Sequence, residues 1–224
     1  MNKAIELLLK NCRKELGYKA NNANPPKRYN KYAEYLDSLG NIYNGKKNGY
    51  HWCDIFVDYM FLTSFGVELG MKLLCQPYKG LGAGCTYSAR YFKNKGQLKF
   101  KPIIGSQIFF GTEQNCNHTG IVTDYDKDYV YTIEGNSSNS VAERKYKITD
   151  PKIYAYGEPD WGIVKMETET RYRTLEDIPA GFYRDSISYL IKKNYLAGKD
   201  GGILDLTEDM IRCLIISARM AGVL

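Results

Sequence analysis

The chain reads as an α+β protein: helices first, an antiparallel sheet after them, and a small helical unit at the end. Three observations predict this. Apolar residues recur at helical spacing up to about residue 94 and switch to period two after Pro102. Turn signals such as Asp126-Lys127-Asp128 then separate short runs, which is how consecutive antiparallel strands are written. A polar stretch at 163–173 precedes two further helical stripes. The expected organisation is a first domain at 1–162, a linker at 163–173 and a helical unit at 174–224. At 224 residues the chain is long enough to bury a substantial core.

Each element has a local reason. Residues 2–16 carry Ile5, Leu8, Leu9, Cys12 and Leu16 on one helical face, ended by Gly17. A polar loop with Pro25-Pro26 leads to a short helix at 31–39, and a Gly/Asn/Lys loop fills 40–50. A helix over 53–64 has Ile55, Phe56, Tyr59, Met60 and Thr63 at helical spacing, and shorter helices follow at 67–74 and 86–94. Between these two lies a glycine-rich loop, 76–84, whose Gly80-Leu81-Gly82-Ala83-Gly84 has the wrong spacing for a dinucleotide site. Strands are expected at 107–110, 119–125, 129–134, 141–147 and 152–156. In the last unit one helix spans 181–196, with Tyr183, Ile187, Leu190 and Ile191 on one face. A second follows Thr207 as N-cap, with Ile211, Leu214, Ile215 and Ala218 as its stripe. About 50 residues make a marginal core, so this unit is expected to pack on the first domain, on copies of itself or on a partner.

Composition excludes little. Apolar content of 44% and charged content of 25% are ordinary for a globular protein, and a net charge of +6 favours acidic partners without naming one. The acidic residues of the last unit offset its bases, which argues against nucleic acid. No run of 18 apolar residues exists, so no membrane span is expected, and Met1–Leu16 does not read as a secretion signal. The chain is therefore expected to be made in a cytoplasm. Six cysteines without CxxC pairing argue against a zinc site and against a disulfide framework.

Cys53 is the residue that carries chemistry. It stands where a polar loop turns into the apolar run Ile55-Phe56-Val57. A cysteine in the first turn of a helix sits in a positive field that favours thiolate, the nucleophilic form. His118, in Asn117-His118-Thr119-Gly120, stands just before a strand and suits a base facing a cleft. His51 is its rival, but a neighbour two residues away seldom has nucleophile–base geometry. Glu134 ends the next strand and suits the orienter of His118, with Asn136 as the alternative orienter or a polar contact to substrate. Cys12 and Cys213 lie on helical stripes and read as core. Cys75, Cys85 and Cys116 lie in loops or near their ends and lack these companions.

The stretches Trp52-Cys53-Asp54-Ile55-Phe56-Val57, Asn117-His118-Thr119-Gly120-Ile121-Val122 and Thr132-Ile133-Glu134-Gly135-Asn136 together resemble the CHAP family, the cysteine, histidine-dependent amidohydrolases/peptidases. The resemblance covers about 2–160. It implies a papain-like fold and cleavage of amide bonds in bacterial peptidoglycan, commonly by phage endolysins or wall hydrolases. It makes Cys53 the nucleophile, His118 the base and Glu134 the orienter, with Asn136 completing the site. It further implies an enzyme made in the host cytoplasm that acts on the wall after release. Some CHAP endolysins bind calcium through an acidic loop before the nucleophile. Here 44–49 carries lysines and no carboxylate, so neither metal nor cofactor is expected. Asp124-Tyr125-Asp126-Lys127-Asp128 imitates the start of an EF-hand but lacks its later glycine and glutamate. The last 50 or so residues are similar to short tails of phage wall hydrolases, which implies wall attachment or self-association. The rival readings are an intracellular amidase or transglutaminase-like enzyme on a non-wall substrate, and an inactive wall-binding module.

Overall fold

The computed structural model describes residues 2–21, 27–77, 79, 82–165, 170–199 and 202–224. Pro25-Pro26 of the first polar loop, Gly80-Leu81 of the glycine run and 166–169 of the expected linker lie outside these residues. The chain divides into two compact units, 1–166 and 167–224.

The first unit begins with α1 (Lys3–Lys14), capped by Asn2, whose side chain accepts the Ala4 N–H at 2.9 Å. Ala4, Leu8, Leu9 and Cys12 face the core, but Leu16 falls past the helix end and is 38% exposed. After α2 (Lys31–Ser38), capped by Asn30, the chain reaches α3 (Cys53–Phe65). This helix is buried on nearly every side, from Cys53 through Val57 and again at Met60–Leu62. A one-face stripe was the expectation; instead α3 is the central helix, with Thr63 exposed and neighbours all round its first turns. Two shorter helices, α4 (Val67–Leu73) and α5 (Cys85–Asn94), complete the helical layer.

The sheet is antiparallel, and among the described residues it has six strands: β1 (Leu98–Lys99), β2 (Gln107–Gly111), β3 (Cys116–Tyr125), β4 (Tyr129–Ser137), β5 (Ser140–Lys147) and β6 (Ile153–Gly157). Their order is β1-β6-β2-β3-β4-β5. The α+β class expected from the change of period is therefore the fold class of the protein. Asp126-Lys127-Asp128 turns β3 into β4, with Tyr125 opposite Val130. Period two shows in the packing. Phe109, Ile121, Ile133 and Val141 join the core formed by the helices, while Ile108, Phe110, Val122 and Val130 form a second cluster with Tyr156. The chain after α1 covers the β5 edge, with the Val141 N–H donating to Tyr18 O at 2.8 Å and the Gly17 N–H to Val141 O at 3.0 Å.

Two strands are longer than expected, and the difference bears on the site. His118 lies inside β3, and Glu134 lies inside β4. His118 pairs with Phe110 of β2, and Glu134 pairs with Ala142 of β5.

The second unit has its own core: Ile178, Ile187, Leu190, Leu206, Ile211 and Ile215. It contains α6 (Phe182–Lys192) and α7 (Glu208–Met220), the latter capped by Thr207, whose Oγ1 accepts the Met210 N–H at 3.2 Å. The expected stripe of α7 is turned into this core at Ile211 and Ile215. Cys213, read as core, is exposed. It lies two positions from either buried residue, about 200° round the helix, and so faces away from them. Among the described residues no helix is long and apolar enough to cross a membrane.

Candidate active site

Cys53 is the first residue of α3, and Trp52 precedes it as N-cap with no side-chain hydrogen bond to the helix. The free N–H groups of that first turn therefore face the surroundings of the thiol. Trp52 is wholly buried beside Tyr32, the two ring centroids 5.6 Å apart, which fixes where the helix starts. Asp54, next along, would weaken the positive field if ionised. It is buried, and burial first, then the charges of Asp58 and Cys53, push its carboxyl well above its ordinary range. Its oxygens accept from Ser88 Oγ and Gln107 Nε2, each at 2.8 Å. Asp54 thereby ties α3 to α5 and β2 next to Cys53.

His118 and Glu134 meet across β3 and β4, with His118 Nε2 2.7 Å from Glu134 Oε2. A carboxylate accepts only, so Nε2 carries the proton and the other ring nitrogen is left for Cys53. Glu134 is wholly buried, and its Oε1 accepts from Thr132 Oγ1 at 2.7 Å. Gly120 makes this meeting possible. A Cβ there would stand 2.5 Å from Glu134 Cγ, so the carboxylate crosses β3 over a bare backbone. Gly135 serves the same motif from the other side, since a Cβ there would stand 2.3 Å from Phe56 Cβ of α3. The Glu-Gly-Asn triplet thus packs tightly against the start of α3.

The three groups act on one another. Cys53 is held well below the usual thiol range, first by the hydrogen bond from Cys85, against the opposing effect of burial, and then by His118. For His118 burial is the largest influence and pulls downward. Hydrogen bonds to Cys53 and Glu134 and their charges outweigh it and bring the imidazolium up to about 10. The free site is therefore a thiolate–imidazolium pair braced by a carboxylate.

Asn136 contacts the other histidine. It sits at φ +56°, and its Nδ2 lies 3.1 Å from His51 Nδ1, not from His118. His118 is hydrogen-bonded to Glu134, while Asn136 is joined to His51, which lines the cleft. That cleft, about 1010 Å³, is lined by Cys53 and by Lys46, Tyr50, His51, Tyr87 and Asn117 among others.

Sequence reasoning missed Cys85. It is the first residue of α5, and its Sγ lies 3.6 Å from Cys53 Sγ. The signal was present: Gly84 precedes it, and Cys85, Ser88, Ala89 and Phe92 fall at the spacing of one helical face. Gln107, Ser88 and Thr132 were missed as well, because a polar residue within a strand or helix announces no partner.

The loop before the nucleophile does not fit calcium. Lys47 is buried there, with its Nζ donating to Asn44 Oδ1 at 2.7 Å and lying 5.6 Å from the centre of the Tyr43 ring. Its backbone N–H and that of Asn48 are taken by Asp37, at 2.6 and 3.3 Å. The Lys47 ammonium takes the Asn44 side-chain oxygen and backbone N–H groups take the Asp37 carboxylate, oxygens that a cation would need.

Residues 45–136 match the family model of the CHAP domain, a span that includes Cys53, His118, Glu134 and Asn136. No curated protein and no solved structure matches the chain. The match at 45–136 supports a CHAP-domain peptidase/amidase, the type named for its cysteine and histidine.

Proposed function

We propose that the protein is a peptidoglycan hydrolase of endolysin type, which cuts an amide bond of the bacterial wall by cysteine nucleophilic catalysis. The observation that carries the reading is the chain Glu134–His118–Cys53, whose Cys53 lines an open cleft within the span that matches the CHAP domain. In the first step the Cys53 thiolate attacks the carbonyl carbon of the scissile amide. The oxyanion forms beside the backbone N–H groups that open α3. His118 gives its proton to the leaving amine, and Glu134 holds the ring in register for that transfer. His118, now neutral, takes a proton from water, and the resulting hydroxide equivalent releases the acyl group from Cys53.

Tyr50, Tyr87 and His51 give the cleft aromatic walls with polar tips, suited to an extended peptide with attached sugar. Release from a host cytoplasm onto the wall, and wall attachment or self-association through the unit 167–224, belong to the same proposal. Digesting purified peptidoglycan and identifying the muropeptides by mass spectrometry tests it. New N-terminal alanine marks an amidase, and new termini within the stem or cross-bridge mark an endopeptidase. Intact muropeptides after prolonged digestion would rule the reading out and favour a non-wall amide substrate.

A further inference from the structure

Three cysteines, Cys53, Cys85 and Cys116, line one cleft, and hydrolysis uses only the first. Their surroundings separate them. Cys116 Sγ donates to Thr112 O at 3.1 Å, and burial pushes its thiol up to about 11. The Cys85 Sγ instead faces Cys53 Sγ at 3.6 Å. Each of these two begins a helix, and each is nearly buried, 4% and 7% exposed, at the wall of a cleft that opens to solvent. Cys85 is shifted up, first by its hydrogen bond to Cys53 and then by burial, while Cys53 is shifted down. One sulfur is thus a thiolate and its neighbour a thiol, with the proton between them. Sulfurs at this distance need only small side-chain rotations to reach the roughly 2 Å of a disulfide.

We propose that Cys53 and Cys85 form a peroxide-responsive dithiol, in which Cys85 resolves oxidised Cys53 into an intramolecular disulfide and so switches the site off reversibly. The Cys53 thiolate attacks one oxygen of hydrogen peroxide. An S–O bond forms, the O–O bond breaks, and hydroxide leaves with the electron pair; sulfur is oxidised and peroxide reduced. Cys85 sulfur then attacks Cys53 sulfur. The S–S bond forms, the S–O bond breaks, and the departing hydroxide takes the Cys85 proton as water. Without a resolving thiol the sulfenic acid would proceed to sulfinic acid, which thiols do not reverse. The loss of hydrolysis rests on Cys53 being the nucleophile proposed above; formation of the disulfide does not.

The test uses the full-length protein treated with hydrogen peroxide, alkylated, digested and mapped by mass spectrometry. The expected result is a peptide linking Cys53 to Cys85, with the loss of two alkylatable thiols and their return after dithiothreitol. Wall hydrolysis should disappear and return in parallel. Cys53 recovered as sulfinic acid beside a free Cys85, Cys53 left unmodified, or either residue linked to Cys116 would overturn the proposal. In Cys85→Ser, Cys53 should pass to sulfinic acid and dithiothreitol should restore neither thiol nor hydrolysis. Recovery equal to wild type would overturn it too. The wild-type map decides alone if that variant does not fold. A protein inactive on walls before oxidation would count against the hydrolase reading, and the cross-link would still be scored by mass.

Discussion

Glu134 is worth more to the site than its distance from the thiol suggests. It is buried, it takes its bonds from His118 and Thr132, and its charge helps hold the imidazolium up at about 10 against the pull of burial. Glu134→Gln keeps the shape and loses that charge. Its kcat/KM is expected to fall by roughly 10²- to 10⁴-fold. Its alkaline limb should also move to lower pH, because His118 then loses its proton earlier. In wild type the pH profile should show activity rising as Cys53 deprotonates, at a pH well below the ordinary thiol range, and falling as His118 deprotonates near 10. Both limbs are read from kcat/KM against pH. Asp58 makes a separate prediction about stability. Burial first raises its carboxyl to about 7, although Tyr43, Gln76 and Lys47 pull the other way. A carboxyl whose folded value is raised binds its proton more tightly in the folded state. Its stabilising contribution is full below the ordinary 3.8 and is lost as pH rises through about 7. Urea midpoints should therefore fall from about pH 4 to about pH 8 in wild type, and fall less in Asp58→Asn.

At the scale of elements, the site depends on how closely strands and helix approach. Gly120 and Gly135 are the two positions where a single methyl group would meet the catalytic frame. Gly120→Ala should lower kcat/KM by about tenfold or more, because Glu134 must swing away from His118, at a stability cost within about 3 kcal/mol. Gly135→Ala presses on Phe56 in the core, so its main effect should be on stability, about 1–3 kcal/mol by urea titration. The elements themselves were largely legible, for local reasons. Asn2, Asn30 and Thr207 cap the helices they precede, and Asp126-Lys127-Asp128 turns the chain between β3 and β4. What was not legible depends on convergence. β1 is two residues long and exists only because β6 lies beside it. Cys85 looked like a loop residue because the partner that gives it meaning, Cys53, is 32 residues away in sequence. Asn136 reads from sequence as an alternative orienter or a contact to substrate, and its contact with His51, 85 residues away, is visible only in the fold. Cys213 was misplaced because a stripe read on α7 tolerates an error of one position in sequence but not in angle.

For the molecule as a whole, the two units have separate cores, and Cys53, His118, Glu134 and Asn136 all lie within 1–166. A chain ending at 166 should therefore keep its turnover of soluble muropeptides, and any loss confined to intact walls would assign 167–224 to wall attachment. The change from helical to strand period is what brings the parts together. The helical half supplies a thiol at a helix start, and the strand half supplies a base and its brace held by ladder hydrogen bonds on neighbouring strands. That division holds only if Cys53 is the nucleophile. The most direct measurement compares wild type with Cys53→Ala on purified bacterial walls, scoring newly released amino groups over time. Wild type is expected to release them steadily, and Cys53→Ala, checked to be folded by circular dichroism, to release none above the enzyme-free control. Equal release by the two proteins would contradict the account.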